Sequence, residues 1–253
     1  MNKVYLYDGN FKSLLVLVFN LIKFKKVPID IKSEEDYEPN LIDEPVYVNV
    51  KLTSKVLNNL RKTLPFSIYL RLYYAYLSND KDKEMIIYKF LNNFLIYKES
   101  IINRRNIDSV NDLVRISRYV GSEAHKLKGF LRFKKMKEFY YAEIEPTNNI
   151  ISILANHFKK RLSNEYWIIT DTKREKYAIY DKEKITYLKK EDIIKLNLDL
   201  SNDEMFYENL WKEFFNTIGI KERKNEKCQM NFMPKKYWKN MIEMEDNYEG
   251  SNK

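Results

Sequence analysis

Hydrophobic residues recur at helical spacing along several stretches of the chain, most clearly after Asp108 and Ser109, two good helix N-caps. At 100° per residue, one side of the helix that follows is apolar. It carries Val110, Leu113, Val114, Ile116, Ser117, Val120, Ala124 and Leu127. The opposite side is polar and basic, with Asn111, Arg115, Arg118, Ser122, His125 and Lys126. The pattern predicts an amphipathic helix with a basic stripe, and Glu123 lies at the border between its two faces.

The next residues alternate at strand spacing. We predict that Gly129 ends the helix and that residues 130–135 and 139–145 form a β-hairpin, which Pro146 terminates. A further helix, capped by Asn148 or Asn149, contains His157 and Phe158. Three short strands follow at residues 166–170, 177–180 and 185–188. This order of elements predicts an α+β fold, with an antiparallel sheet and helices on one face.

The N-terminal part is predicted to be mostly helical, with short strands at residues 4–7 and 46–52. The segment from Pro28 to Pro45 is acidic and contains three prolines, which indicates either a solvated loop or an acidic surface for a basic partner. We predict a helical part at 1–107 packed against a small antiparallel sheet in an α+β core at 108–245, and a disordered tail at 246–253. One continuous domain is the alternative.

Composition adds a basic character to this picture. The 253-residue chain has a formal net charge of +9 and a pI near 9.2, which favours a nucleic-acid partner. The joint richness in Lys, Asn, Ile and Tyr is also typical of an AT-rich genome, which raises lysine without any selection for DNA binding. Cations clearly outnumber acids between residues 121 and 190. This unevenness is harder to attribute to codon bias, so it strengthens the nucleic-acid interpretation.

Several classes of site are excluded by counting residue types. The single cysteine, Cys228, cannot form an internal disulfide, an iron–sulfur cluster or a cysteine-rich zinc site. The five glycines form neither a phosphate loop nor a dinucleotide-binding turn. The apolar run from Leu14 to Ile22 is about half the length of a membrane span, which needs roughly 20 residues. We therefore expect a reduced, cytoplasmic protein that binds no cofactor of its own.

Candidate site residues concentrate around the predicted helix and hairpin. Glu123, His125 and Asp171 are candidate catalytic groups, although residues two apart on a helix point about 200° from one another. We expect nucleic-acid contacts from Arg115, Arg118, His125, Lys126, Arg132, Lys134 and Arg174. Neither His125 nor His157 has a second ligand at metal-site spacing, so we predict no metal site. A structural role is the alternative for both histidines.

Blocks of residues spread over about 4–244 resemble a bacterial family described as DNA-metabolism proteins or as a domain of unknown function. The N-terminal blocks are Tyr7-Asp8-Gly9, Phe11, Leu14-Leu15, Val110-Asn111-Asp112, Arg115 and Arg118. The central blocks are Glu123, His125, Gly129-Phe130-Leu131-Arg132-Phe133, Ala142, Pro146, His157-Phe158, Arg161, Trp167-Ile168-Ile169, Asp171 and Arg174. The C-terminal blocks are Leu210-Trp211, Arg223, Asn225, Gln229, Pro234 and Tyr237-Trp238.

The resemblance implies a role in DNA metabolism or repair. Members of that family are genetic partners of a radical-SAM protein of DNA modification or repair, and some are fused to a uracil-DNA glycosylase domain. That partner is expected to use S-adenosylmethionine and an iron–sulfur cluster. Three functions follow: an accessory DNA-binding protein working with the radical-SAM partner, an enzyme acting on DNA or nucleotides through Glu123, His125 or Asp171, or a protein-interaction module without nucleic-acid contact.

Overall fold

The structure is a computed structural model that describes residues 3–40, 42–48, 58–59, 62–104, 106–136 and 139–189, together with Pro234 and Tyr237. The chain divides into two compact units, Met1–Gly121 and Ser122–Lys253. The boundary lies within one long helix, whereas the sequence prediction placed a boundary before that helix, after residue 107. Each unit is described by itself.

The first unit combines a small parallel sheet with several helices. Its strands are β1 (Lys3–Tyr7), β2 (Asp30–Ser33) and β3 (Glu44–Tyr47), in the order β2-β1-β3. Its helices are α1 (Phe11–Lys23), α2 (Phe66–Tyr76), α3 (Lys83–Tyr97) and a 3-10 helix at Lys98–Asn103. Both edge strands pair with β1 in parallel, so helix α1 is the crossover between β1 and β2.

A short turn connects β1 to α1 in this unit. Gly9 has φ +73°, the left-handed region that favours glycine, and the Asn10 side chain caps α1 by accepting the Lys12 N–H at 2.9 Å. Strand β2 falls inside the acidic segment that was predicted to be a loop, because the buried Ile31 and Ser33 alternate with the partly exposed Asp30 and Lys32. The loop prediction is therefore wrong for β2.

The long helix, α4 (Asp108–Phe130), follows the predicted apolar period. The buried residues recur at helical spacing through the last turn: Val110, Leu113, Ile116, Val120, Ala124, Leu127 and Leu131. Gly129 does not end the helix, since the Leu131 N–H still donates to the Leu127 carbonyl at 2.9 Å. The predicted strand at 130–135 is thus partly wrong. Its alternating pattern also fits the i, i+4 spacing that continues α4.

The second unit contains a five-stranded sheet with strand order β4-β5-β6-β7-β8. The strands are β4 (Lys134–Met136), β5 (Phe139–Ile144), β6 (Trp167–Asp171), β7 (Lys176–Tyr180) and β8 (Ile185–Lys189). Helix α5 (Ile151–Arg161) connects β5 to β6 and contacts β6, β7 and β8. Every residue of β6 is buried, which makes this strand the centre of the unit.

The predicted α+β class is confirmed, with one correction to the pairing. Strand β5 pairs with β6 in parallel, so the sheet is mixed and not wholly antiparallel. The reason is topological, because a helical crossover between two strands returns the chain in the same direction. The predicted tail at 246–253 lies outside the described residues. Among the described residues, no helix is long and apolar enough to cross a bilayer.

Candidate nucleic-acid interface and carboxylate network

The two faces of α4 differ as the sequence predicts. Glu123 is buried at 4% exposure, whereas His125 is exposed, so the two side chains do not form a pair. The polar residues Arg115, Arg118, Ser122, His125 and Lys126 lie within about 100° of the helix circumference. Of these, Lys126 is half-buried and the others are exposed. Tyr119 extends this surface with a side chain that is 57% exposed.

Glu123 holds the loop between β5 and α5. Its Oε1 accepts the Thr147 N–H at 2.9 Å, and its Oε2 accepts the backbone N–H of Asn148 at 2.9 Å and the Asn148 side-chain amide at 2.7 Å. A buried carboxylate that accepts several N–H hydrogen bonds is held firmly in position. The Asn148 side chain therefore hydrogen-bonds to Glu123. Helix α5 begins after Ile150, and it does not have the predicted side-chain cap.

Arg174 holds the same loop from the other side. Its Nη1 donates to the Pro146 carbonyl at 3.0 Å and to Asp171 Oδ2 at 3.2 Å, and its Nη2 donates to the Thr147 carbonyl. Asp171, at 0% exposure, also accepts the Arg174 backbone N–H at 3.2 Å. Only 17% of the Arg174 side chain is exposed. This placement does not support the predicted phosphate contact of Arg174.

These contacts form one connected unit, which we call the loop clamp: Glu123, Asp171 and Arg174 around the segment 146–148. Backbone N–H groups of the loop point to Glu123, and its carbonyls point to Arg174. Burial raises the pKa of Asp171, while the adjacent guanidinium and backbone N–H groups oppose that rise. The clamp brings together two of the predicted catalytic carboxylates, but as ligands of backbone and arginine.

The two histidines occupy different environments. His125 is exposed on α4, whereas His157 is half-buried on α5 with its ring centroid 5.0 Å from that of Phe158. Burial lowers the pKa of His157, and the nearby Lys128 and Arg161 lower it further. Its Nε2 is buried and has no hydrogen-bond partner among the described residues. Within the described ranges, no group of three histidine, cysteine, aspartate or glutamate side chains is arranged to hold a metal ion.

The remaining basic candidates differ in how they are engaged. Arg115 lies 3.6 Å from Asp80 and 3.4 Å from Asp112, yet its side chain stays 63% exposed. Arg132 donates through Nη1 to the Gly129 carbonyl at 2.8 Å, which fixes the chain after α4. Lys134 is half-buried on β4. Arg118 and His125 are likewise exposed on α4.

Aromatic positions of the sequence motifs lie mainly in the core. Phe133 packs edge-on against Phe158 at 4.9 Å and against Trp167 at 6.3 Å. Phe130 lies 5.9 Å from the buried Tyr237. These contacts explain the aromatic motif by packing. Arg161 is exposed at the end of α5, and Arg223, Asn225 and Trp238 lie outside the described residues.

The comparisons with known proteins bear on the second unit and on the last part of the first. A family model described as a domain of unknown function (DUF4130) matches residues 81–243, which is more than half of the chain. The chain belongs to this family. The DUF4130 match includes all three clamp residues and the basic face of α4, and it leaves the sheet of β1, β2 and β3 outside. No curated protein and no solved structure matched the chain.

Two structural features of this DUF4130 chain were not predicted from its sequence. One is the pairing of Glu123 with a loop 24 and 25 residues away, for which the only signal is a carboxylate at the edge of an apolar stripe. The other is Glu84, which is 2% exposed and accepts the Tyr7 hydroxyl at 3.2 Å. Burial raises the pKa of Glu84, and the same burial with the Glu84 charge raises the pKa of Tyr7.

The acidic N-terminal segment forms one wall of a cavity of about 530 Å³ in the first unit. Asp36, Glu38 and Asp43 come from the acidic segment, Asp80 comes from the connection between α2 and α3, and Glu84 comes from the first turn of α3. The segment therefore contributes carboxylates to the lining of this cavity. A role of the segment as an acidic surface for a basic partner stays a prediction.

Proposed function

We propose that this chain is an accessory protein of DNA metabolism or repair that binds nucleic acid and works with a radical-SAM partner. The observation that carries the proposal is the exposed basic face of α4. Arg118 and His125 are exposed there, and the exposed ring of Tyr119 lies at the edge of the same face. Cations on a rigid helix beside an aromatic ring suit phosphate contact and base stacking. The net charge of +9 adds long-range attraction to a polyanion.

The loop clamp favours the binding function over the enzymatic alternative. Glu123 accepts three hydrogen bonds, and Asp171 is fully buried against Arg174. A general acid or base must reach its substrate within hydrogen-bond distance. Both carboxylates instead reach backbone and arginine groups, and His125 faces away from them. The geometry therefore supports structural roles for Glu123 and Asp171.

The experiment reverses charge on α4. In the double variant Arg118→Glu with Lys126→Glu, two positive charges are replaced by two negative ones, so the formal net charge falls from +9 to +5. A matched control, Lys12→Glu with Lys89→Glu, lowers the net charge by the same amount at exposed positions on α1 and α3. We expect the α4 variant to bind labelled DNA at least tenfold more weakly. We also expect the slope of log K against log salt concentration to become less steep by about 1 to 2.

The control decides how the result is interpreted. Net charge acts at long range on any polyanion. Equal losses of DNA affinity in both double variants would therefore assign binding to overall charge and contradict an interface on α4. Unchanged DNA affinity in the α4 variant would contradict the proposal directly. Urea unfolding of both variants checks that the half-buried Lys126 tolerates glutamate, and Arg118→Gln with Lys126→Gln repeats the test by neutralising the charges.

A further inference from the structure

A group of exposed cations lies at the end of the five-stranded sheet where α5 stops. Of these cations, only Arg161 belongs to the sequence motifs named above. Lys160 and Arg161 end α5, and Lys182 and Lys184 lie in the turn between β7 and β8. Tyr166 precedes β6 at the same end of the sheet, with 47% of its side chain exposed. We call these five residues the turn corner.

Hydrogen bonds around the buried Tyr180 hold the turn corner in one shape. The hydroxyl of Tyr180, a residue that is 3% exposed, lies 2.7 Å from the Lys182 carbonyl and 3.2 Å from the Ser163 carbonyl. Lys159 Nζ donates to the Glu183 carbonyl at 2.6 Å and lies 5.5 Å from the Tyr180 ring. The end of α5, the residues before β6 and the β7–β8 turn are thus tied to a common centre.

The turn itself is internally braced. Asp181 Oδ1 accepts the backbone N–H of Glu183 at 3.0 Å and that of Lys184 at 2.8 Å. Lys182 adopts φ +74°, a left-handed conformation that a lysine rarely takes. This conformation accompanies a position of the Lys182 ammonium 4.3 Å from the centroid of the Tyr166 ring. A cation at that distance interacts with the face of the ring.

Charge at the turn corner is positive and partly accounted for by the helix. Lys159, Lys160 and Arg161 complement the negative end of the α5 dipole, which is a structural reason for their presence. That reason does not extend to Lys182 and Lys184, which belong to the β7–β8 turn. Including Lys159, five cations face three carboxylates, Glu165, Asp181 and Glu183, and Asp181 is engaged by the turn.

We propose that the turn corner binds single-stranded nucleic acid, with the Tyr166 ring stacking on an unpaired base and the surrounding cations contacting phosphates. The Lys182 ammonium over the Tyr166 ring adds a positive charge next to the proposed stacking site, where it can attract the phosphates of a bound strand. Aromatic rings next to basic groups are the usual means by which proteins hold unpaired strands. The inference rests on the proposed nucleic-acid binding and adds a second contact with a preference for single strands.

The test measures binding of the full chain to a fluorescently labelled oligothymidylate and to a duplex of equal length. We expect Tyr166→Ala to weaken oligothymidylate binding about tenfold and to leave duplex binding nearly unchanged, because stacking needs an unpaired base. Tyr166→Phe keeps the ring and should restore affinity. Tyr47→Ala, at a 67% exposed tyrosine of β3, is the matched control and should have no effect.

Charge reversal provides the second arm. Lys182→Glu with Lys184→Glu should lower the salt slope for oligothymidylate by about 1 to 2, compared with the Lys12→Glu, Lys89→Glu control. Equal weakening of both probes by Tyr166→Ala, or unchanged oligothymidylate affinity, would overturn the turn-corner inference. If only the α4 variant loses binding, the inference fails and the proposed function stands. A wild-type chain that binds neither probe would overturn both.

Discussion

At the scale of single residues, the most informative contact is that of Glu123 with the 146–148 loop. Helical spacing predicts that Glu123 and His125 diverge, and the structure confirms it. Spacing cannot identify the Glu123 partners, because they lie 24 and 25 residues further along the chain. The same limit applies to Arg174, whose charge indicates a phosphate ligand while its guanidinium binds loop carbonyls.

The residue-scale prediction concerns Glu123→Gln. A glutamine turns one of the two oxygens into an amide donor, which then faces an N–H group of the loop and leaves it without an acceptor. A buried donor without a partner costs about 1–3 kcal/mol, so the free energy of unfolding should fall by that amount in urea titrations. Glu165→Gln is the matched control at an exposed position, where the change should stay within about 0.5 kcal/mol.

The outcome of Glu123→Gln separates structure from chemistry. A loss of stability accompanied by normal DNA affinity agrees with the loop clamp. Unchanged stability together with a lost reaction in a reconstituted assay would instead support the enzymatic alternative, in which Glu123 acts on a substrate.

At the scale of elements, periodicity predicts α4 well and predicts its end poorly. The apolar stripe of α4 is visible because it needs only the 3.6-residue period. Its C-terminus is not, because glycine is permissive in either conformation and the residues 127–131 fit both a helix and a strand. Parallel pairing of β5 with β6 depends on where α5 docks, which is a tertiary property beyond local pattern.

Two glycines test this element-scale explanation. Gly129 lies within α4, and no atom of the described residues lies within 4 Å of an added Cβ, so Gly129→Ala should raise the free energy of unfolding by up to about 1 kcal/mol. Gly9 has φ +73°, so Gly9→Ala should lower it by about 1 kcal/mol although its Cβ would also fit. Destabilisation by Gly129→Ala would indicate that Gly129 is a left-handed helix cap, as the sequence pattern first indicates.

At the scale of the whole molecule, composition bounds the chemistry more firmly than the fold does. The single cysteine means that radical-SAM chemistry needs an iron–sulfur cluster held by another chain. Family membership covers the region from 81 to 243, which contains the basic face of α4, the loop clamp and the turn corner. The features that the sequence does not predict are mostly contacts between distant segments of this region.

The last prediction concerns the partner. Because a single cysteine cannot hold an iron–sulfur cluster, we expect co-expression with the proposed radical-SAM partner to yield a complex on size exclusion that survives nuclease treatment. The cluster absorbance should follow the partner polypeptide when the two are separated. The variant Arg118→Glu with Lys126→Glu should keep the complex and lose DNA, since it changes a nucleic-acid contact. Two polypeptides that elute apart, with and without DNA, would refute the association and leave DNA binding to be judged separately.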